Sequence, residues 1–116
     1  MVGFSLGGEI VFEILKIRKF DNIKKVVLIC SINPEKSISF KHPEIVNIYS
    51  PKDLITKYAI KVLEPFHGGK RLIGKNVKNV IVSDMRHRDF VFDKIIKKGR
   101  YKGKTITQLV NLMLGD

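Results

Sequence analysis

A serine, an aspartate and a histidine stand in this chain in an order suited to acyl transfer. Ser5 sits in Gly3-Phe4-Ser5-Leu6-Gly7, a G-x-S-x-G pattern, and Asp53 and His87 follow it. A serine hydroxyl is a weak nucleophile until a base takes its proton. A histidine can take that proton and return it to the leaving group, while a carboxylate holds the imidazole in the productive tautomer. The residues after Ser5 carry helical spacing, and a helix N-terminus favours the negative charge of a tetrahedral intermediate. The backbone N–H of Leu6 is the expected oxyanion donor. Gly3 and Gly7 are expected to remove side chains where strand and helix come closest, and Gly8 to let the helix start lie near the sheet.

Each of these residues also has a plainer reading. Ser5 or Asp53 can cap a helix; the glycines flanking Ser5 favour the nucleophile. Glu35 is a rival acid. Asp84 and Asp89 stand too close to His87 in sequence and read as a turn residue and a helix cap. His42, before Pro43, and His67, beside Gly68-Gly69, read as loop residues. The three histidines lack ligand spacing and no cysteine or carboxylate cluster joins them, so neither a metal nor another cofactor is expected.

The elements that must position these side chains alternate. Val2 to Phe4 reads as the end of a strand. From Leu6 to about Phe20, Ile10, Val11, Ile14, Leu15 and Ile17 fall on a helical stripe. The apolar run from Val26 to Cys30 reads as a strand covered on both faces. Residues 31–43 read as loop, Ile45 to Tyr49 as a strand, and Ser50-Pro51-Lys52-Asp53 as a turn. A short helix is expected over 54–63, a glycine-containing loop over 67–74, and a strand over 77–83. Helical character is expected again over 90–97. Thr105 and Gln108 have capping-box spacing before a last helix, with Ile106, Leu109, Val110 and Met113 on one face. Alternating strands and helices predict a parallel α/β sheet of about four strands with helices on both faces, a three-layer arrangement forming one domain over 1–116. In such sheets the ligand site lies at the strand C-terminal edge, where Ser5, Asp53 and His87 all fall.

The elbow serine, then an acid, then a histidine, each after a strand, resembles the α/β-hydrolase superfamily of lipase- and esterase-like serine hydrolases. The stretches IVNIYSPKDLI and NVKNVIVSDMRHRDF look like a lipase-like subgroup with a Tyr-Ser-x-x-Asp turn and a late Gly-His-x-x-Tyr/Phe. Tyr49, Ser50, Asp53, His87 and Phe90 match it, and Arg86 stands where that pattern has glycine. The resemblance implies a carboxylic ester hydrolase with an acyl or lipid-like substrate. It covers only the C-terminal half of such a fold. The expectation is therefore a truncated form in which Met1 is an interior residue, or a chain that completes its sheet with a missing N-terminal half or a second copy. An earlier loop normally supplies a second oxyanion N–H, and lacking one donor costs on the order of a hundredfold to a thousandfold in rate. A non-catalytic interaction module or inactive remnant with the same half-fold is the alternative.

Composition narrows the classes further. The 116 residues suffice for one modest core. No apolar run approaches the roughly 18 residues of a membrane span. One cysteine, Cys30, rules out an intramolecular disulfide, fits a reducing, cytoplasmic setting, and reads as a small buried hydrophobe. The formal net charge is +11. The densest basic run, Lys97, Lys98, Arg100, Lys102 and Lys104, has little aromatic interleaving beyond Tyr101 and reads as a solvated loop, so nucleic acid is not the expected partner.

Overall fold

The computed structural model describes residues 1–5, 7–17, 22–30, 32–33, 43–53, 67–68 and 72–115. Strands β1 (Val2–Phe4), β2 (Lys25–Ile29), β4 (Glu44–Tyr49) and β6 (Val77–Ile81) form one sheet in the order β1-β2-β4-β6. All its pairs are parallel. Strands β3 (Ile32–Asn33) and β5 (His67–Gly68) form a separate antiparallel pair within stretches expected to be loop. Helix α1 is Gly7–Ile17, α2 is His87–Val91 and α3 is Ile106–Gly115. The expected helix over 54–63, Glu35, His42 and Leu6 lie outside the described residues.

The parallel sheet is covered on both sides, as the unbroken apolar run of β2 demands. Val26 and Leu28 pack with Ile45, Val11 and Phe12 on the α1 face. Val27 and Ile29 face the other way, into a cluster with Val46, Ile48 and Val80 that meets Ile106, Leu109 and Met113 of α3 and Phe90 of α2. Alternation along each strand thus builds two cores from one sheet. The buried stripe of α1 is Gly8, Val11 and Phe12, with Leu15 packed against it. Ile10, expected on that stripe, is 62% exposed. Five apolar residues at mixed helical spacings offer two overlapping stripes, and the one that brings Gly8 to the sheet is used.

Polar groups pin the remaining elements. Asn47 and Asn79 are cross-strand partners, and Asn47 Nδ2 donates to Asn79 Oδ1 at 3.0 Å. Asn79 also exchanges two hydrogen bonds with the Leu72 backbone, both 2.9 Å, which ties the segment before β6 to the sheet. The Lys25 ammonium donates to the Met113 carbonyl at 2.7 Å, where a cation suits the last turn of α3. Thr105 and Gln108 form the expected capping box: Thr105 N–H donates to Gln108 Oε1 and Gln108 N–H to Thr105 Oγ1.

The helical expectation over 90–97 is corrected. Helix α2 stops at Val91; Asp93 has φ 53° and Ile95 bridges Thr105. Asp93 is held in that left-handed turn because its Oδ1 accepts the Thr107 N–H at 2.7 Å, which gives the start of α3 an acceptor. The basic residues 97, 98, 100, 102 and 104 are all exposed, on a turn closed by Gly103 N–H to the Ile96 carbonyl.

Candidate functional site

Ser5, Cys30, Asp53 and His87 all follow the C-terminal ends of sheet strands. Pairing runs one step beyond β1, β2 and β6: Ser5 N–H donates to the Ile29 carbonyl at 3.0 Å, Cys30 N–H to Ile48 at 2.9 Å, and Val82 N–H to Tyr49 at 2.9 Å. The backbone at this edge is therefore fixed to the point where the candidate side chains begin.

Ser5 has φ 54°. A side chain in that region costs roughly 1–2 kcal/mol. The chain turns there from β1 into α1, and Gly8 N–H donates to the Ser5 carbonyl at 3.1 Å. The turn brings α1 hard against the strand. A Cβ on Gly3 would stand 3.0 Å from Val11 Cγ2, 3.1 Å from the Gly7 carbonyl oxygen and 3.1 Å from Gly8 Cα. The expectation holds for Gly3 and is corrected for Gly7, where a Cβ would meet nothing within 4 Å. The tight approach is between Gly3 and Gly8; Gly7 lends only its backbone to it. Gly3→Ala is accordingly expected to destabilise the fold by about 1–3 kcal/mol through overpacking. Gly7→Ala is expected to do far less. Urea unfolding of the two variants measures the difference.

Asp53 and His87, far apart in sequence, meet directly. Asp53 Oδ2 and His87 Nδ1 are 2.8 Å apart. Asp53 is 1% exposed, while the His87 side chain keeps 12% of its surface open. The acid is positioned by the turn after β4, in which Asp53 N–H donates to the Ser50 carbonyl at 3.1 Å and Lys52 N–H to Ser50 Oγ at 3.2 Å. His87 is the first residue of α2. Arg86 before it has φ −89° and ψ 164°, extended backbone open to any residue, so the turn into α2 does not require a glycine there. Asp89 caps α2 as expected, reaching back from the third helical position to the residue before the helix. Its Oδ2 accepts the Arg86 N–H at 2.9 Å, and that bond holds the carboxyl below the usual carboxylate range.

His87 is also linked to the elbow. Its ring packs against Phe4 with centroids 5.2 Å apart, and Phe4 directly precedes Ser5. Phe4 and Ile29 further line a cavity of about 340 Å³, together with Phe90, Ile106 and Val110. Val91, Asp93, Thr107 and Asn111 complete its lining.

Cys30 belongs to the site, which its sequence context hid. It is fully buried, has φ 46°, and hydrogen-bonds through sulfur to the Asp53 side chain. Burial first, then the charge and hydrogen bond of Asp53, push the thiol well up, so it stays protonated and donates to the carboxylate. One ligand atom each of Cys30, Asp53 and His87 lie within 4.8 Å of one another. The expectation that no cysteine or carboxylate joins a histidine is thereby corrected. These residues are remote in sequence, and only the shared strand edge assembles them.

Comparison with models of protein families, with curated proteins and with solved structures finds no match.

Proposed function

We propose that the chain is a serine hydrolase of α/β-hydrolase type that cleaves carboxylic esters with Ser5, Asp53 and His87. The observation that carries this reading is the 2.8 Å contact between the buried Asp53 carboxylate and His87 Nδ1. A buried aspartate on Nδ1 leaves Nε2 as the proton acceptor and stabilises the imidazolium that forms. Ser5 loses its proton to Nε2 as its oxygen attacks the ester carbonyl. The proton then passes to the departing alkoxide, and water repeats the sequence on the acyl-enzyme. The Leu6 N–H is the proposed oxyanion donor. The left-handed backbone at Ser5 supports the nucleophile role, since strain of that kind collects at functional sites.

The cavity beside Phe4 suggests the acyl side of the substrate. Its volume and its Phe4, Ile29, Phe90, Ile106 and Val110 walls suit an unbranched acyl chain of medium length. Hydrolysis of p-nitrophenyl esters from acetate to octanoate tests this, with Ser5→Ala as control. Turnover that survives in Ser5→Ala, or none in the folded wild type, removes the reading. Val110→Trp is expected to lower kcat/KM for octanoate by about tenfold or more relative to acetate, because it fills the space that a longer chain needs. The chain's single cysteine, which has no second cysteine to form a disulfide with, supports a reducing compartment, the cytoplasm.

A second reading rests on the outer edge of β1. Among the described residues β1 pairs only with β2, and Met1 and Val2 beside that edge are 37% and 47% exposed. An open edge can recruit another strand. A folded chain that sediments as a dimer and shows no esterase turnover favours an interaction module instead. Among the described residues no helix is long and apolar enough to cross a membrane.

A further inference from the structure

We infer that Cys30, Asp53 and His87 form a binding site for a thiophilic divalent cation such as Zn²⁺, and that the bound ion switches the hydrolase off. The three side chains offer sulfur, oxygen and nitrogen, the donor set that borderline-soft Zn²⁺ and Co²⁺ take. One ligand atom from each lies within 4.8 Å of the other two. In a tetrahedral site with bonds of about 2.0–2.3 Å, ligand atoms stand roughly 3.3–3.8 Å apart. The cluster brackets that spacing, with the Asp53–His87 contact at 2.8 Å on the short side. The ion therefore takes the place of hydrogen-bonding protons and needs only small side-chain adjustments.

Charge balance favours the same occupant. A thiolate at Cys30 and the Asp53 carboxylate carry two negative charges in a site where both residues are buried. Buried charges must be paired, and a divalent cation neutralises both. Two steps accompany binding: the Cys30 proton leaves to solvent, and the Nδ1 lone pair of neutral His87 coordinates the ion. Three protein ligands leave one position for water.

The inhibitory consequence rests on the hydrolase reading; the metal site does not. His87 can serve Ser5 only if Nδ1 holds the proton facing Asp53 and Nε2 has a free lone pair. Coordination at Nδ1 moves the ring proton to Nε2, which then donates and cannot accept. Metal binding and general-base catalysis thus require opposite tautomers of one ring.

Titration of the full chain with Co²⁺ tests the site. Cys30 is the only cysteine in the chain, so any sulfur-to-cobalt charge-transfer band in the near ultraviolet reports on it. The expected result is that band together with visible absorption of tetrahedral cobalt, both removed by Zn²⁺. His87→Ala and Asp53→Ala should each weaken the apparent affinity by about tenfold or more. Absence of the band in the folded wild type at millimolar Co²⁺ overturns the proposal, and so does wild-type affinity in both variants. The first of these outcomes needs no variant to fold. The switch is read separately, as fluorophosphonate labelling with and without Zn²⁺. Saturating Zn²⁺ should slow the wild-type rate about tenfold or more, reversibly with EDTA, and leave Cys30→Ser at its own metal-free rate. An equal Zn²⁺ effect in both proteins overturns the switch. No labelling of either protein without metal overturns the hydrolase reading, while the cobalt spectrum still decides the site.

Discussion

Asp53→Asn is expected to lower the rate constant for ester hydrolysis on the order of 10⁴-fold while the chain still folds. The size follows from the tautomer that the carboxylate selects. Asp53 Oδ2 faces His87 Nδ1 at 2.8 Å and can only accept. The Nδ1–H form is therefore the favoured one, and in the proposed mechanism Nε2 takes the Ser5 proton. An asparagine side chain can turn its amide toward the ring and donate. That selects the opposite tautomer and removes the base. Shape is nearly unchanged, so the buried turn from Ser50 to Asp53 keeps its backbone hydrogen bonds. The Cys30 thiol can still find a carbonyl acceptor in the amide. Steady-state kinetics on a p-nitrophenyl ester, with circular dichroism as the check on folding, measure the effect. A loss of less than about tenfold in a folded variant contradicts the role given to Asp53.

Ser5→Gly is expected to abolish turnover and at the same time to stabilise the fold by about 1 kcal/mol. The two signs come from one feature, the φ of 54° at a residue that carries a side chain. Glycine reaches this region without the clash. It also removes the proposed nucleophile. If Ser5 were only a helix cap, the same change would cost a few tenths of a kcal/mol. Urea unfolding of wild type and variant thus separates the two roles independently of any assay of activity. A destabilised Ser5→Gly protein favours the cap.

Much of this site was legible because its residues sit at ends of elements with strong local signals. The apolar runs of β2 and β4 and the spacing of Ile106, Leu109, Val110 and Met113 define buried elements by themselves. The order of strands and helices then predicts a parallel sheet, and so one shared edge for Ser5, Asp53 and His87. The flanking glycines marked the turn, although only Gly3 meets a steric demand. Cys30 was hidden for the opposite reason. It ends an apolar strand, where a cysteine normally packs as a hydrophobe, and its hydrogen bond to Asp53 depends on strands pairing side by side. The early stop of α2 was equally out of reach. Phe90 to Lys97 has helical composition, but Asp93 is drawn into a left-handed turn by the backbone of α3. The β3–β5 pair joins two residues with two others more than thirty positions away and carries no periodic signal.

Whether Ser5 is a nucleophile is decided by the intact mass of the 116-residue chain after reaction with a fluorophosphonate. One adduct is expected, mapped to Ser5, absent in Ser5→Ala and slowed by about 10²-fold or more in His87→Ala, since general-base help is worth at least that. A folded wild-type chain that stays unmodified, or an adduct that maps to another residue, contradicts that role.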